Sequence, residues 1–334
     1  MEAPVEGYVL HTYGDDRYVR HAAASIATLR RYDARRPVAL FCPEPHQRLL
    51  TTHGVADLFD VIRTLPARHQ SIVGFKHHLH NFAVFDRTLF VDADMIWCRN
   101  PDPLWTRLST FPFTATGLER ADYFFGGPKG PAIILDLLLN RRRRTLRRFG
   151  LTCLPRVQAG MIYTQERAIA EEVCKQAARY LTRSGETHFR SRLQEGRSEE
   201  TCEWSLAMAM SRLDLPVYPW FQAQESPQLD YIDSLTLHDE EFEDVTCRYY
   251  PNDFVYSLRG LSNRRVRDAL LALAERIPGR GDFLEVTPYA LHFGWLHQKQ
   301  PFFDFAARIW QRLLEDGLDR VVPNRPNRTA SRVT

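Results

Sequence analysis

The chain has 334 residues, 44% apolar and 12% aromatic, which excludes a globally disordered protein. Its formal charge of +3 is too small for a nucleic-acid coat, so no nucleic-acid partner is expected. Six cysteines without a C-x-x-C pair, no apolar window near the roughly twenty residues of a membrane span, and no basic, apolar leader together predict a soluble cytoplasmic protein with reduced core thiols.

In chain order, "YVLHTY" (8–13) reads as an opening strand and "GDD" (14–16) as a turn with a helix N-cap. Tyr18, Ala22, Ile26 and Leu29 then recur at helical spacing. "PVALFC" (37–42) and "DVIRTL" (60–65) are further strands, and Phe75, Leu79, Phe82 and Val84–Phe85 mark a helix ending at Asp86–Arg87. A short apolar run, Thr88 to Val91, follows and stops at Asp92-Ala93-Asp94. This alternation implies βαβ crossovers and a mostly parallel α/β sheet flanked by helices, whose ligands gather at the carboxyl ends of the strands.

Beyond residue 110, strands are expected at 112–117, 159–164 and 289–294. Helices are expected at 131–150, 166–183 and near 199–213, 262–277 and 303–316. The 131–150 helix has Pro131 at its start and Gly150 past its end, with Leu137, Leu138 and Leu139 read as core. Residues 184–198 are polar and read as a mobile loop. The expected organisation is one catalytic domain over 1–317, with a nucleotide-binding half to about 110, an acceptor-side half after it, and a disordered tail over 318–334.

Asp is depleted in strands and costly to bury unless paired or bound to a cation, so Asp92 and Asp94 at a strand end pose a chemical question. In a continuing strand they would lie about 7 Å apart on one face; at a turn they can converge on one divalent cation. An oxygen-rich set of this kind suits Mn²⁺ or Mg²⁺ open to substrate phosphates. D-x-D alone equally describes a solvated turn. "LHFGWLHQKQPF" (291–302) adds His292 as a third ligand and Lys299 as a cation for a diphosphate.

Other motifs have plainer readings. Arg141–Arg144 with Arg147 and Arg148 fit a solvated helix C-terminus, with weak contact to a membrane surface as the functional alternative. His77 and His80 in "FKHHLH" lack a nearby acid or Cys, and "GGPKG" (126–130) lacks phosphate-loop spacing, reading instead as a flexible turn or acceptor-side lid. Trp204, Trp220, Phe221 and Trp295 are mostly core, with sugar stacking as the alternative.

Taken in order, these segments resemble the glycogenin-like (family 8) GT-A glycosyltransferases, over about residues 8–302. "LHTYGDDRYVRHAAASIATLRRYD" is similar to the family's opening strand, turn and helix. "FKHHLHNFAVFDRTLFVDAD" matches its Lys-to-DxD spacing, "VQAGMIY" its N-A-G segment and "HFGWLHQKQP" its H-x-x-G-x-x-K-P element. The resemblance implies a GT-A fold and a metal-dependent, retaining transferase using a nucleotide-diphosphate sugar, usually UDP-linked, with Mn²⁺ (or Mg²⁺). It further implies Asp92, Asp94 and His292 as metal ligands, and Asp92 with Ala93 against the ribose. Thr12 and Tyr13 would meet the nucleoside, Lys76 and Arg87 phosphate or sugar, and Lys299 and Gly294 the diphosphate. Gln158 and Glu203 would serve catalysis, with Glu200, Asp230 or Asp233 as substitutes for the family's acid.

The chain departs from the pattern in three places: Gln158 replaces Asn, His292 to Lys299 spans seven positions rather than six, and the D-Q pair is absent. The acceptor, whether glycan, glycolipid, small molecule or protein, is not legible. A catalytically silent sugar-nucleotide-binding protein and a sugar nucleotidyltransferase are the alternatives. The latter lacks its G-x-G-T-R-type opening loop, since "TYGDDRY" offers one glycine.

Overall fold

Short β-branched and aromatic runs bounded by Gly, Pro and Asp build the first strands, and the longer periodic segments between them wind into helices. The computed structural model describes residues 3–121, 125–127, 132–194, 196–222, 225–249, 263–276 and 284–322. In chain order these form β1 (Glu6–His11), α1 (Arg17–Arg30), β2 (Val38–Cys42), α2 (Glu44–Thr52), β3 (Val61–Thr64), α3 (Ile72–Lys76), β4 (Arg87–Val91) and β5 (Met95–Trp97). Next come α4 (Asp102–Leu108), β6 (Phe113–Leu118), α5 (Ala132–Leu138), α6 (Arg141–Phe149), β7 (Arg156–Thr164), α7 (Arg167–Thr182) and α8 (Glu203–Arg212). The remainder comprises β8 (Tyr218–Pro219), β9 (Gln228–Asp230), β10 (Thr236–His238), β11 (Val245–Tyr249), α9 (Arg264–Glu275), β12 (Leu284–Val286), β13 (Ala290–His292), α10 (Gln300–Glu315) and α11 (Leu318–Val321).

The expected mostly parallel sheet is present, in the order β3-β2-β1-β4-β7-β6-β8. β3, β2, β1 and β4 pair in parallel, as do β6 and β8, while β7 runs antiparallel to both β4 and β6. Chain order reverses direction across β1, whose neighbours are β2 and β4, and the carboxyl ends of β1 and β4 flank the crevice where such sheets bind ligands.

Residue alternation divides the core between the two faces. Tyr8 and Leu10 of β1 join a cluster with α1 and α10, through Ala22, Ile26, Phe305 and Ile309. Val9 joins Phe90, Ile162, Val173 and Leu206 on the face covered by α7 and α8. Each such aliphatic contributes roughly 1.5–3 kcal/mol on burial. Tyr8 stays satisfied inside by donating to Asp33 Oδ2 (2.8 Å) and accepting from Trp105 Nε1 (2.7 Å). All six cysteines are free thiols; Cys153 is exposed and the other five are buried.

Several expectations need correction. The single helix over 131–150 is two, because Asn140 adopts a left-handed conformation (φ 48°) between α5 and α6. Leu137, Leu138 and Leu139 are exposed rather than core. An unbroken apolar run carries no period to say which side faces inward. The helix expected across Phe75–Phe85 is only α3 and a 3₁₀ turn, Leu79–Asn81. α2, begun by Pro43 and carrying Pro45 in its first turn, went unread. The tail expected from 318 begins with α11; residues 323–334, like 128–130 of "GGPKG", lie outside the described residues.

Candidate metal and nucleotide-sugar site

β4 delivers Asp92 to the sheet's carboxyl edge, where its backbone N–H donates to the carbonyl of Gly160 on β7 (3.0 Å). This bond continues the antiparallel β4–β7 ladder one residue past Val91–Met161, while on its other edge β7 is interrupted in its pairing to β6. Ala115 pairs with Ile162 but Thr116 pairs with Gln158, so residues 159–161 face no β6 partner. The freed Ala159 carbonyl accepts from Lys76 Nζ (2.8 Å), whose ammonium also reaches Asp92 Oδ1 (2.7 Å) and Oδ2 (2.9 Å).

The chain turns at Ala93, which packs against the core, and returns as β5 in a second sheet ordered β5-β13-β9. Here β13 pairs antiparallel with β5, setting His292 opposite Met95, and parallel with β9, setting His292 beside Asp230. The Phe293 N–H donates to the Asp94 carbonyl (2.9 Å), closing the hairpin-like contact. One imidazole is therefore held between the D-x-D turn and a third carboxylate.

The resulting geometry brings His292 Nε2 to 3.6 Å from Asp92 Oδ2 and 3.7 Å from Asp94 Oδ1, one ligand atom of each residue lying within 4.8 Å of the others. On its other side His292 Nδ1 lies 2.8 Å from Asp230 Oδ1. Asp230 also accepts from Gln158 Nε2 and, through Oδ2, from Trp295 Nε1 (2.9 Å). A carboxylate can only accept, so Nδ1 carries a proton and donates to Asp230; Gln158 Nε2, 3.0 Å from Nδ1, then serves Asp230. Nε2 is left with its lone pair toward Asp92 and Asp94 whenever the ring is neutral, the carboxylate–histidine arrangement that orients a metal ligand.

Gly294 is needed by close approach. A Cβ there would lie 2.6 Å from His292 Cε1, so any side chain would push the ring. We expect Gly294→Ala to weaken Mn²⁺ binding about tenfold in calorimetry; unchanged affinity would mean that the loop relaxes around the methyl.

Charges compensate one another across this cluster. Lys299, which begins α10 after a 3₁₀ turn at Leu296–Gln298, reaches Asp94 Oδ2 at 2.5 Å. That turn accommodates the seven-position spacing from His292. Burial opposes ionisation of Asp92, but Lys76 and His292 outweigh it and hold the carboxyl well below its ordinary range. Burial likewise opposes the charge on Asp94, and Lys299 and His292 pull its pKa down. Burial would lower His292, yet Asp230, Asp92 and Asp94 raise it to about 10. The metal-free cluster is therefore neutralised by protons and ammonium groups in the place a cation would serve.

The donor set fits a hard divalent ion: two carboxylates and one imidazole, oriented by a buried acid, suit Mn²⁺ or Mg²⁺ better than a thiophilic metal. Among the described residues, Gln158 Oε1 is buried without a hydrogen-bond partner, an acceptor available to a ligand hydroxyl.

The other sequence-predicted residues divide clearly. Tyr13 lies half-buried past the end of β1, its hydroxyl donating to Glu199 Oε2 (2.8 Å). The Thr12 side chain is turned inward onto His46 Nδ1 (3.0 Å). Glu203 opens α8 and is near enough to Lys76 to help raise that lysine's pKa, against burial and behind the larger pull of Asp92. Glu200 instead ties down the 191–194 turn through Ser191 Oγ and the N–H groups of Arg192 and Leu193. Arg87 is not brought to the site. It opens β4 at the opposite end from Asp92, about 16 Å along the strand, and pairs with Glu6 (3.1 Å).

Asp233, offered as a substitute acid, pairs with Arg264 (2.8 Å). Asp230 was read only as a substitute acid, and nothing in a three-residue strand signals its place behind His292. His11, stacked on Phe75 at 3.9 Å, was passed over; burial and then Lys76 lower its pKa to about 3, leaving a neutral ring near the cluster.

No protein-family model and no curated protein matches the chain. Among solved structures, the chain is similar to the glycosyltransferase GlyE of Streptococcus pneumoniae, with 11% identity, 98% of this chain and 66% of that chain covered, and a TM-score of 0.48. The apo form of GlyE gives 12%, 95%, 64% and 0.45, so this chain spans a little under two thirds of that one. A galactosyltransferase, LgtC, solved with donor and acceptor sugar analogs, gives 12% identity, 92% and 95% coverage, and a TM-score of 0.45. At these identities and scores the likenesses assign no residue a role and place the chain in no family.

Proposed function

We propose that the protein is a GT-A-type glycosyltransferase that takes a nucleotide-diphosphate sugar, UDP-linked, at a divalent-cation site made by Asp92, Asp94 and His292. The observation that carries this reading is the convergence of those three ligands with Lys76 and Lys299 at the carboxyl edge of the sheet. A cation held there would neutralise charge developing on the diphosphate leaving group.

The chain's own groups supply the rest. Lys299, hydrogen-bonded to Asp94, is a mobile-stemmed ammonium able to turn to a phosphate oxygen when Asp94 is neutralised otherwise. Lys76 is fixed on Asp92 and the Ala159 carbonyl and sets the local positive field without moving. Asp230 holds the tautomer of His292, and the unpartnered Gln158 Oε1 offers an acceptor to a sugar hydroxyl. Glu203 is the acceptor-side base in this reading, with front-face attack by the acceptor hydroxyl and retention at the anomeric carbon.

The test is slow hydrolysis of a panel of nucleotide sugars with Mn²⁺ and then with EDTA. Cleavage of a single UDP-sugar, abolished by EDTA, is the expected result. Mn²⁺-dependent binding without cleavage, persisting when acceptors are supplied, would instead indicate a catalytically silent sugar-nucleotide-binding protein.

A further inference from the structure

α5 is amphipathic in the inverted sense. Its one buried residue is Asp136, whose Oδ1 has no hydrogen-bond partner among the described residues, while Ile134, Leu135, Leu137 and Leu138 are 60%, 53%, 44% and 78% exposed. Leu139 beyond it is exposed as well. Among the described residues, no other exposed large apolar side chains stand consecutively in the sequence. In water a seven-residue helix with its acid inside and its aliphatics outside is the wrong way round. Contiguous exposure of this sort marks a contact surface.

Directly after the left-handed Asn140, α6 carries six arginines. Arg141, Arg143, Arg144, Arg147 and Arg148 are exposed, and Arg142 donates to the Ala121 carbonyl. Arg148 approaches Glu186 at 3.6 Å; Arg141, Arg143, Arg144 and Arg147 have no acidic partner among the described residues. Residues 132–150 hold one acid against those six arginines, more positive charge than the +3 of the whole chain. α6 is itself firmly seated: Thr145 Oγ1 accepts from the His188 N–H (2.9 Å), and Phe149 packs edge-on against Tyr180 (5.4 Å).

We propose that α5 and α6 form an interfacial docking face for an anionic lipid surface, the aliphatics of α5 entering the acyl boundary and the arginines of α6 meeting the headgroups. Charge complementarity selects this occupant. A second copy would bring six more arginines against the first six, and nucleic acid would leave the aliphatics without a partner. No described helix is long and apolar enough to cross a membrane, so the contact is peripheral. The face is wired to the acceptor side: His188 adjoins Phe189, which stacks on Trp204 (4.8 Å) beside Glu203. If the transferase reading holds, a lipid-carried acceptor is the substrate class that this face would present.

The test is flotation of the full chain with vesicles of phosphatidylcholine alone or with about one third phosphatidylglycerol, alongside light scattering. Flotation with the anionic vesicles, weakened by salt, is expected. Leu135→Ser with Leu138→Ser should cut partitioning at least about tenfold. Arg143→Gln, Arg144→Gln and Arg147→Gln should cut it about fivefold each. None of these changes should alter donor hydrolysis in solution, which separates failure of docking from failure of the transferase reading. Absence of flotation at low salt, flotation unchanged in all of these variants, or a dimer that the leucine variant dissolves without any flotation, would each overturn the proposal.

Discussion

Asp94→Ala is expected to reduce Mn²⁺-dependent turnover of the donor by about a thousandfold, the scale on which removal of one preorganised electrostatic contact acts. The substitution leaves Asp92 and His292, one carboxylate and one imidazole, too few anionic ligands to hold the ion in place. It also releases Lys299 from its 2.5 Å contact, and because that side chain is not fully enclosed, its ammonium can rehydrate and the fold should persist. The check separates the two consequences. In the wild-type chain, Mn²⁺ at about a hundred times its Kd should add about 2.7 kcal/mol of stability by mass action. In Asp94→Ala that gain should vanish while the metal-free melting temperature stays within a few degrees. A variant that retained both the Mn²⁺ shift and the turnover would remove Asp94 from the site.

The second large effect is expected at a residue that touches neither metal nor sugar in this reading. Asp230 accepts from His292 Nδ1, Gln158 Nε2 and Trp295 Nε1, all donors. Asp230→Asn keeps the size but replaces one accepting oxygen with an NH₂, so at least one buried donor meets another donor. Even with the amide oxygen kept on the His292 side, the imidazole loses the charged acceptor that fixes its tautomer and orientation. Metal affinity should fall about 10- to 100-fold, the usual cost of removing such an orienting carboxylate. Calorimetric titration with Mn²⁺ measures this directly. A purely structural role would lower the melting temperature and leave affinity in the remaining folded protein unchanged, and that outcome would count against Asp230 as a positioning residue.

The arrangement gives a physical answer to why a buried strand ends in two acids. Without a cation, Lys76, Lys299 and His292 neutralise Asp92 and Asp94, and the acids stay ionised despite burial. A divalent ion would substitute for part of this compensation rather than enter an uncompensated hole, which lowers the cost of keeping such a site folded when empty.

From the residues alone one could read the βαβ alternation, the mostly parallel sheet, and the strand that stops at Asp92 and Asp94. Those features are local: a strand of five buried residues, or a helix of fourteen, contains enough periods to declare itself. His292 and Lys299 were legible as chemistry and were read as partners of Asp94, some two hundred positions earlier, but nothing local in the sequence says how they reach it. That proximity is decided by β5, β13 and β9, strands of three residues each, too short for alternation to register.

The same limit hid Asp230, whereas Arg87 passed for a site residue on the resemblance alone and lies at the far end of its strand. The leucines of α5 fail for a different reason. A run in which nearly every position is apolar has no polar face to contrast with, so only packing around Asp136 and the break at Asn140 decided that the aliphatics face outward. Sequence determined which side chains exist to hold a cation and a diphosphate; tertiary pairing decided which of them meet.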